Sequence, residues 1–203
     1  MNIMAILDNE SKYILETMLH LENPTIREIA TYTQIPVTCI HRRLKKLLEN
    51  NIVKKNNHYQ LVDKYKTIDL LAIFKNPQKE TLMSFISKES LSDIVHIISD
   101  ETISGAYGLE LLYPRIVADQ VYLYSADIES TRKRLFDFGC RESLQVGIGK
   151  VYILKDYPLV RLTRKKNSSI KKYTASDIII LLDNIALGGR HEQISREYIK
   201  ENV

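Results

Sequence analysis

The sequence predicts an α+β protein: a small N-terminal domain of helices closed by a hairpin, then a larger mixed domain with a small sheet. Three observations carry that expectation. Apolar residues recur at helical spacing through the first fifty residues, and each run is stopped by Asn23-Pro24, Gln34-Ile35-Pro36 or Asn50-Asn51. Two short extended runs follow at once. Beyond Asn76-Pro77 helical and strand-like segments alternate. With 203 residues, 44% of them hydrophobic and 27% charged, the chain has the composition of a globular protein and the length for two small domains.

Ile6, Tyr13, Ile14, Thr17, Met18 and Leu21 place one apolar face on a helix from Asp8 to Glu22. Thr25 followed by Glu28 is a capping box, in which each side chain satisfies the other residue's free backbone N–H, so a second helix starts there and buries Ile26, Ile29 and Ala30. It is short, because the residue before Pro36 is pushed out of helical geometry. Val37 and Thr38 open a third helix that runs to Asn50. Ile40, Leu44, Leu47 and Leu48 lie on one side, with His41, Arg42, Arg43, Lys45 and Lys46 around the others. Asn50-Asn51 suits the left-handed cap that ends it. Ile52 to Lys55 and His58 to Val62 then read as two strands, joined by Asn56-Asn57 in positive dihedrals.

Charge is focused on this segment. Residues 1–37 hold two basic and five acidic side chains, whereas residues 38–66 hold eight basic and two acidic, within a whole-chain net charge of only +4. The segment TIREIATYTQIPVTCIHRRLKKLLENNIVKKNNHYQLV resembles the bacterial and archaeal winged helix-turn-helix regulators. Ala30 stands at that family's small residue in the second helix, Ile35 at its apolar turn residue, and Asn51 where glycine is usual. The resemblance implies that the third helix enters the major groove of double-stranded DNA and the hairpin, the wing, lies beside the backbone or minor groove. Base readers would come from the N-terminal half of that helix, namely Thr38, Cys39, His41 and Arg42. Arg43, Lys45 and Lys46, with Lys54, Lys55 and His58 of the wing, would meet phosphates. A single module of this size offers little contact area, so a homodimer on two half-sites is expected.

The expected domains are residues 1–66, a connector over 67–77, and an α+β domain over 78–203 for dimerisation, partner or ligand binding. The second domain reads as helices over Gln78–Lys88, Leu91–Ser99 and Gly105–Leu112, a strand over Ala118–Tyr124, and a helix over Ile128–Phe138. Strands around Ser143–Val146 and Lys150–Leu154 follow, then helices over Ala175–Leu187, capped by Thr174 with Asp177, and His191–Glu201. Gly188-Gly189 would end the first of that last pair. The Tyr-rich strand reads as a sheet element rather than a base-stacking platform. A basic cluster, Arg161, Arg164, Lys165, Lys166, Lys171 and Lys172, would either extend a DNA footprint or decorate a loop.

The run ISGAYGLELLYPRIVADQVYLYSAD resembles, more loosely, the start of the nucleotidyltransferase fold in the second domain of abortive-infection type IV antitoxins. Ser104-Gly105 and Asp119 take comparable places, but Val121 stands where a second magnesium-binding carboxylate is needed, so the resemblance implies a non-catalytic relative. No cofactor and no metal are expected: Cys39 and Cys140 give no ligand spacing, and the five histidines show no helical pairing. Ile3–Leu7 and Ile178–Leu182 are too short to span a bilayer, so no membrane partner and a cytoplasmic location are expected. The leading expectation is a sequence-specific transcriptional regulator, of the antitoxin autorepressor kind, with a cognate toxin as a further partner. The alternatives are a nucleotidyltransferase-fold enzyme and a plasmid or viral replication protein.

Overall fold

The structure, a computed structural model, describes residues 7–143 and 149–202. The chain forms two compact units, one ending at Phe74 and the other starting at Lys75.

In the first unit, α1 (Asn9–His20) is capped by Asp8, whose carboxylate accepts from the Ser11 N–H at 2.9 Å. α2 (Ile26–Thr33) begins with the full Thr25/Glu28 capping box. The turn into α3 (Val37–Glu49) runs through Gln34, which takes the left-handed conformation (φ 56°) although its sequence signals nothing of the kind. α3 ends in a Schellman motif: Asn51 is left-handed (φ 55°), its N–H donates to the Leu48 carbonyl, and the Ile52 N–H donates to that of Leu47. Asparagine here replaces the more usual glycine at modest steric cost.

β1 (Val53–Lys55) and β2 (Tyr59–Leu61) form the expected antiparallel hairpin, Lys55 opposite Tyr59. The turn differs from expectation. Lys55 pairs with Tyr59 rather than His58, so Asn56, Asn57 and His58 together reverse the chain, and neither asparagine has a positive φ. Lys64–Phe74, read as connector in its greater part, is a helix, α4. Asp63 caps it through the Lys66 N–H, and it buries Thr67, Ile68, Leu71 and Ala72. Lys64, Lys66 and Asp69, which interrupt a weak apolar pattern in the sequence, form its solvent side.

The second unit contains a seven-stranded mixed sheet, larger than expected, in the order β6-β3-β7-β5-β4-β9-β8. The strands are β3 (Thr81–Ile86), β4 (Thr102–Ser104), β5 (Val121–Ser125), β6 (Arg141–Glu142), β7 (Val151–Lys155), β8 (Lys165–Lys166) and β9 (Tyr173–Thr174). The helices are α5 (Pro77–Glu80), α6 (Leu91–Ile97), α7 (Gly105–Leu112), α8 (Ile128–Asp137), α9 (Pro158–Thr163), α10 (Asp177–Leu187) and α11 (Gly189–Asn202). The helix expected over Gln78–Lys88 is instead the single turn α5 followed by β3, because Phe85 and Ser84 pair with Val151 and Tyr152 and tertiary pairing overrides local propensity. Thr174 belongs to β9, and the N-cap of α10 is Ser176. Gly188 and Gly189, both at positive φ, end α10 as expected. Most of the strand expected over Ser143–Val146, and Gly147, lie outside the described residues.

The two faces of this sheet differ in chemistry. Side chains alternate along each strand, so Phe85, Val151, Val121 and Leu123 share one face with Ile103 and Ile153. Leu91, Ile94 and Val95 of α6, Leu135 of α8, Tyr107 and Cys140 join this largely apolar core. On the other face Ser84, Tyr152, Tyr122 and Ser104 line up across four strands. There α7 packs on β5 and α10 packs on α7. Tyr122 and Tyr124 are fully buried, so their rings are core groups and not a platform for bases. Gly105, at φ +67°, lies against Tyr122, and an added Cβ would meet that ring at 2.5 Å.

Candidate nucleic-acid interface

α3 divides into an inner and an outer side. Ile40, Leu44 and Leu47 have no exposed surface and fix the helix to its own unit. Thr38, His41, Arg42 and Lys45, at spacings of three and four residues, share the opposite face and are all exposed, with Lys46 beside them. Among the described residues none of these five side chains has a hydrogen-bond or ion-pair partner, so the face has no internal use for its charge. Cys39 is half-buried on the flank, and its thiol is free. On the hairpin Lys54, Lys55 and His58 are exposed, Lys55 lying over the Tyr59 ring at 5.1 Å. Gln60 of β2 donates to the Asn23 side chain at 2.5 Å and ties the hairpin to the turn between α1 and α2.

Arg43 behaves differently from its neighbours. Its guanidinium lies 2.5 Å from Asp8 and 3.0 Å from Glu10, and its side chain is only 15% exposed. Nine of the ten expected contact residues are exposed or half-exposed with no ion pair to a carboxylate, His58 lying within electrostatic reach of Glu28, whereas Arg43 faces two acids.

Two carboxyl groups of this unit are held below their usual range. Burial tends to raise that of Asp8, but hydrogen bonds from the Ser11 N–H and hydroxyl and the charge of Arg43 outweigh it. Glu28 is lowered chiefly by the Thr25 N–H, then by the Thr25 hydroxyl. A carboxyl depressed in the folded state stabilises above its unfolded pKa, and that contribution is lost as pH falls through the folded value. Asp156 in the second unit has the opposite sign, because burial pushes its carboxyl up despite Arg161. The expected outcome is a smaller loss of thermal midpoint between about pH 5 and pH 3 in the Asp8→Asn/Glu28→Gln variant than in the wild type, measured on the full chain.

In the second unit, four of the six basic residues between Arg161 and Lys172 are committed to the protein itself. Arg161 pairs with Asp156 at 2.9 Å and Lys165 with Asp177 at 3.0 Å. Arg164 donates to the Asp100 carbonyl and stacks on Tyr173, and Lys172 donates to the Ile98 carbonyl. Lys166 and Lys171 remain exposed. The segment is α9 and β8 in part, not a plain loop.

Sequence reasoning missed one feature of this unit altogether. Asp183 on α10, fully buried, accepts from the Ser104 hydroxyl at 2.5 Å and from the Tyr124 hydroxyl at 3.0 Å, and it pairs with the Lys75 ammonium at 3.0 Å. The adjacent Asn184 donates to the Gly105 carbonyl at 2.9 Å. Ser104-Gly105, which the looser resemblance places at the glycine-containing turn that opens a helix, is thus pinned to α10 from within the core. The available signal was the polar pair Asp183-Asn184 inside the otherwise apolar run Ile178 to Leu187. Asp119 sits just before β5, largely exposed, 3.6 Å from the His191 ring. Among the described residues no three His, Cys, Asp or Glu side chains converge as a metal site would require.

No protein-family model matches this chain, and no curated protein or solved structure is detectably similar to it.

Proposed function

We propose that this chain is a sequence-specific double-stranded DNA-binding regulator of transcription, with a winged helix-turn-helix as its reading unit. The observation that carries the reading is the outer face of α3: Thr38, His41, Arg42, Lys45 and Lys46 are exposed and unpartnered, on a helix anchored by three fully buried residues. A rigid cationic helix with small and forked polar groups at its N-terminal end suits the major groove, where arginine reads guanine and lysine meets phosphate. Lys54 and Lys55 on the hairpin would extend the phosphate contacts.

The protein acts as a homodimer on paired half-sites, as an autorepressor whose second unit dimerises or binds a cognate toxin. It works in the cytoplasm. Consistent with that, both cysteines are free, and among the described residues no helix is long and apolar enough to cross a membrane.

The test is selection of bound duplexes from a random library with the full chain, followed by affinities for the selected and a scrambled duplex. Arg42→Ala is expected to cost about 1–3 kcal/mol on the selected duplex only, and Lys55→Ala to weaken both alike. If neither change alters either affinity, the assigned face is wrong.

A further inference from the structure

Arg43 sits on the basic helix yet does not share the freedom of the other cations. Asp8 uses its two oxygens for different tasks: Oδ1 accepts from the N–H and hydroxyl of Ser11, capping α1, while Oδ2 faces the Arg43 guanidinium. Glu10, in the first turn of α1, reaches the same Arg43 nitrogen. The start of α1 is thereby joined to the middle of α3 by charge.

Burial of Ile40, Leu44 and Leu47 sets which side of α3 faces inward, and the Arg43 pair adds a polar restraint beside that packing. One guanidinium nitrogen held between two carboxylates ties a point on α3 to the start of α1 and so further restrains the roll of α3 about its own axis. The angle matters because Thr38, His41, Arg42 and Lys45 lie on one face, and turning the helix moves all four relative to a groove.

We propose that Arg43 is a positioning residue of the DNA-reading face: latched to Asp8 and Glu10, it restrains the roll of α3 and does not itself touch DNA. This rests on the DNA-binding reading above. It also separates two roles that sequence position alone would merge, since Arg43 lies between Arg42 and Lys45.

The test compares wild-type full chain with Arg43→Gln, Asp8→Asn/Glu10→Gln and Lys46→Gln. Each is titrated by fluorescence anisotropy against a duplex selected by the wild type and against a scrambled duplex, over about 50–200 mM salt, and thermal midpoints are recorded alongside. Arg43→Gln is expected to reduce the preference for the selected duplex on the order of tenfold while leaving the salt slope unchanged, tenfold corresponding to about 1.4 kcal/mol. The Asp8→Asn/Glu10→Gln variant should lose the same preference although it gains positive charge, which purely electrostatic binding would reward. Its substitutions are isosteric and asparagine still caps α1, so it reports the latch even if Arg43→Gln folds poorly. Lys46→Gln should lower the slope by about 0.9 and keep the preference.

A slope reduced in Arg43→Gln as in Lys46→Gln would make Arg43 a phosphate contact and overturn the proposal. An unchanged preference in both latch variants would overturn it equally. A wild type that shows neither salt-dependent binding nor preference would instead refute the DNA-binding reading, and the latch proposal with it.

Discussion

Replacing Asp183 with alanine is expected to lower the unfolding free energy by about 3–5 kcal/mol, among the largest effects of any single change in this chain. The carboxylate is fully buried, and Lys75 opposite it is nearly so at 6% side-chain exposure. Removing the acid leaves an ammonium in the core without its counter-charge, and the hydroxyls of Ser104 and Tyr124 lose their acceptor. The cost comes from the abandoned partner rather than from the pair being strongly favourable in itself. The Lys75→Met/Asp183→Leu double variant should therefore recover the part of the loss due to the stranded ammonium, though not the part due to the two hydroxyls. Urea midpoints of the full chain, followed by far-UV circular dichroism, would show this; a single variant as stable as the double would contradict it.

Leu44→Ala should cost about 2–5 kcal/mol, since Leu44 is a fully buried side chain whose removal leaves a cavity under α3. A unit of this size has only a few kcal/mol to lose, so much of it should unfold and binding to the selected duplex should disappear. Lys46→Ala, two residues further on the outer side, should change stability by no more than about 0.5 kcal/mol. Its effect belongs to the salt dependence of DNA binding. Together the two substitutions separate the side of α3 that builds the unit from the side available to a ligand, with a urea melt and a salt titration as the readouts.

What was legible in the sequence was local. The Thr25/Glu28 box, the stop at Pro36 and the left-handed Asn51 each depend on residues within a few positions, and each appears where expected. The outer face of α3 follows from helical spacing alone. What was hidden depends on distant partners. β3 is a strand because β7 offers it a ladder, and nothing in Thr81 to Ile86 announces that pairing. α4 looked like a connector because its polar side was read and its buried row, Ile68, Leu71 and Ala72, was not. Helical spacing sets Arg43 beside Ile40 and Leu47 at the edge of the buried side, but only the fold brings Asp8 and Glu10 to it. Asp183 likewise needed Ser104, Tyr124 and Lys75 to be assembled around it before its place in the core made sense.

The most direct measurement is an NMR titration of the isotope-labelled full chain with a duplex it has selected from a random library. Perturbed amides should cluster at Thr38, His41, Arg42, Lys45 and Lys46, with a second group at Lys54 and Lys55. Perturbations confined to the second unit, for instance around Lys166 and Lys171, or none at saturating duplex, would contradict the assignment of α3 as the surface that meets DNA.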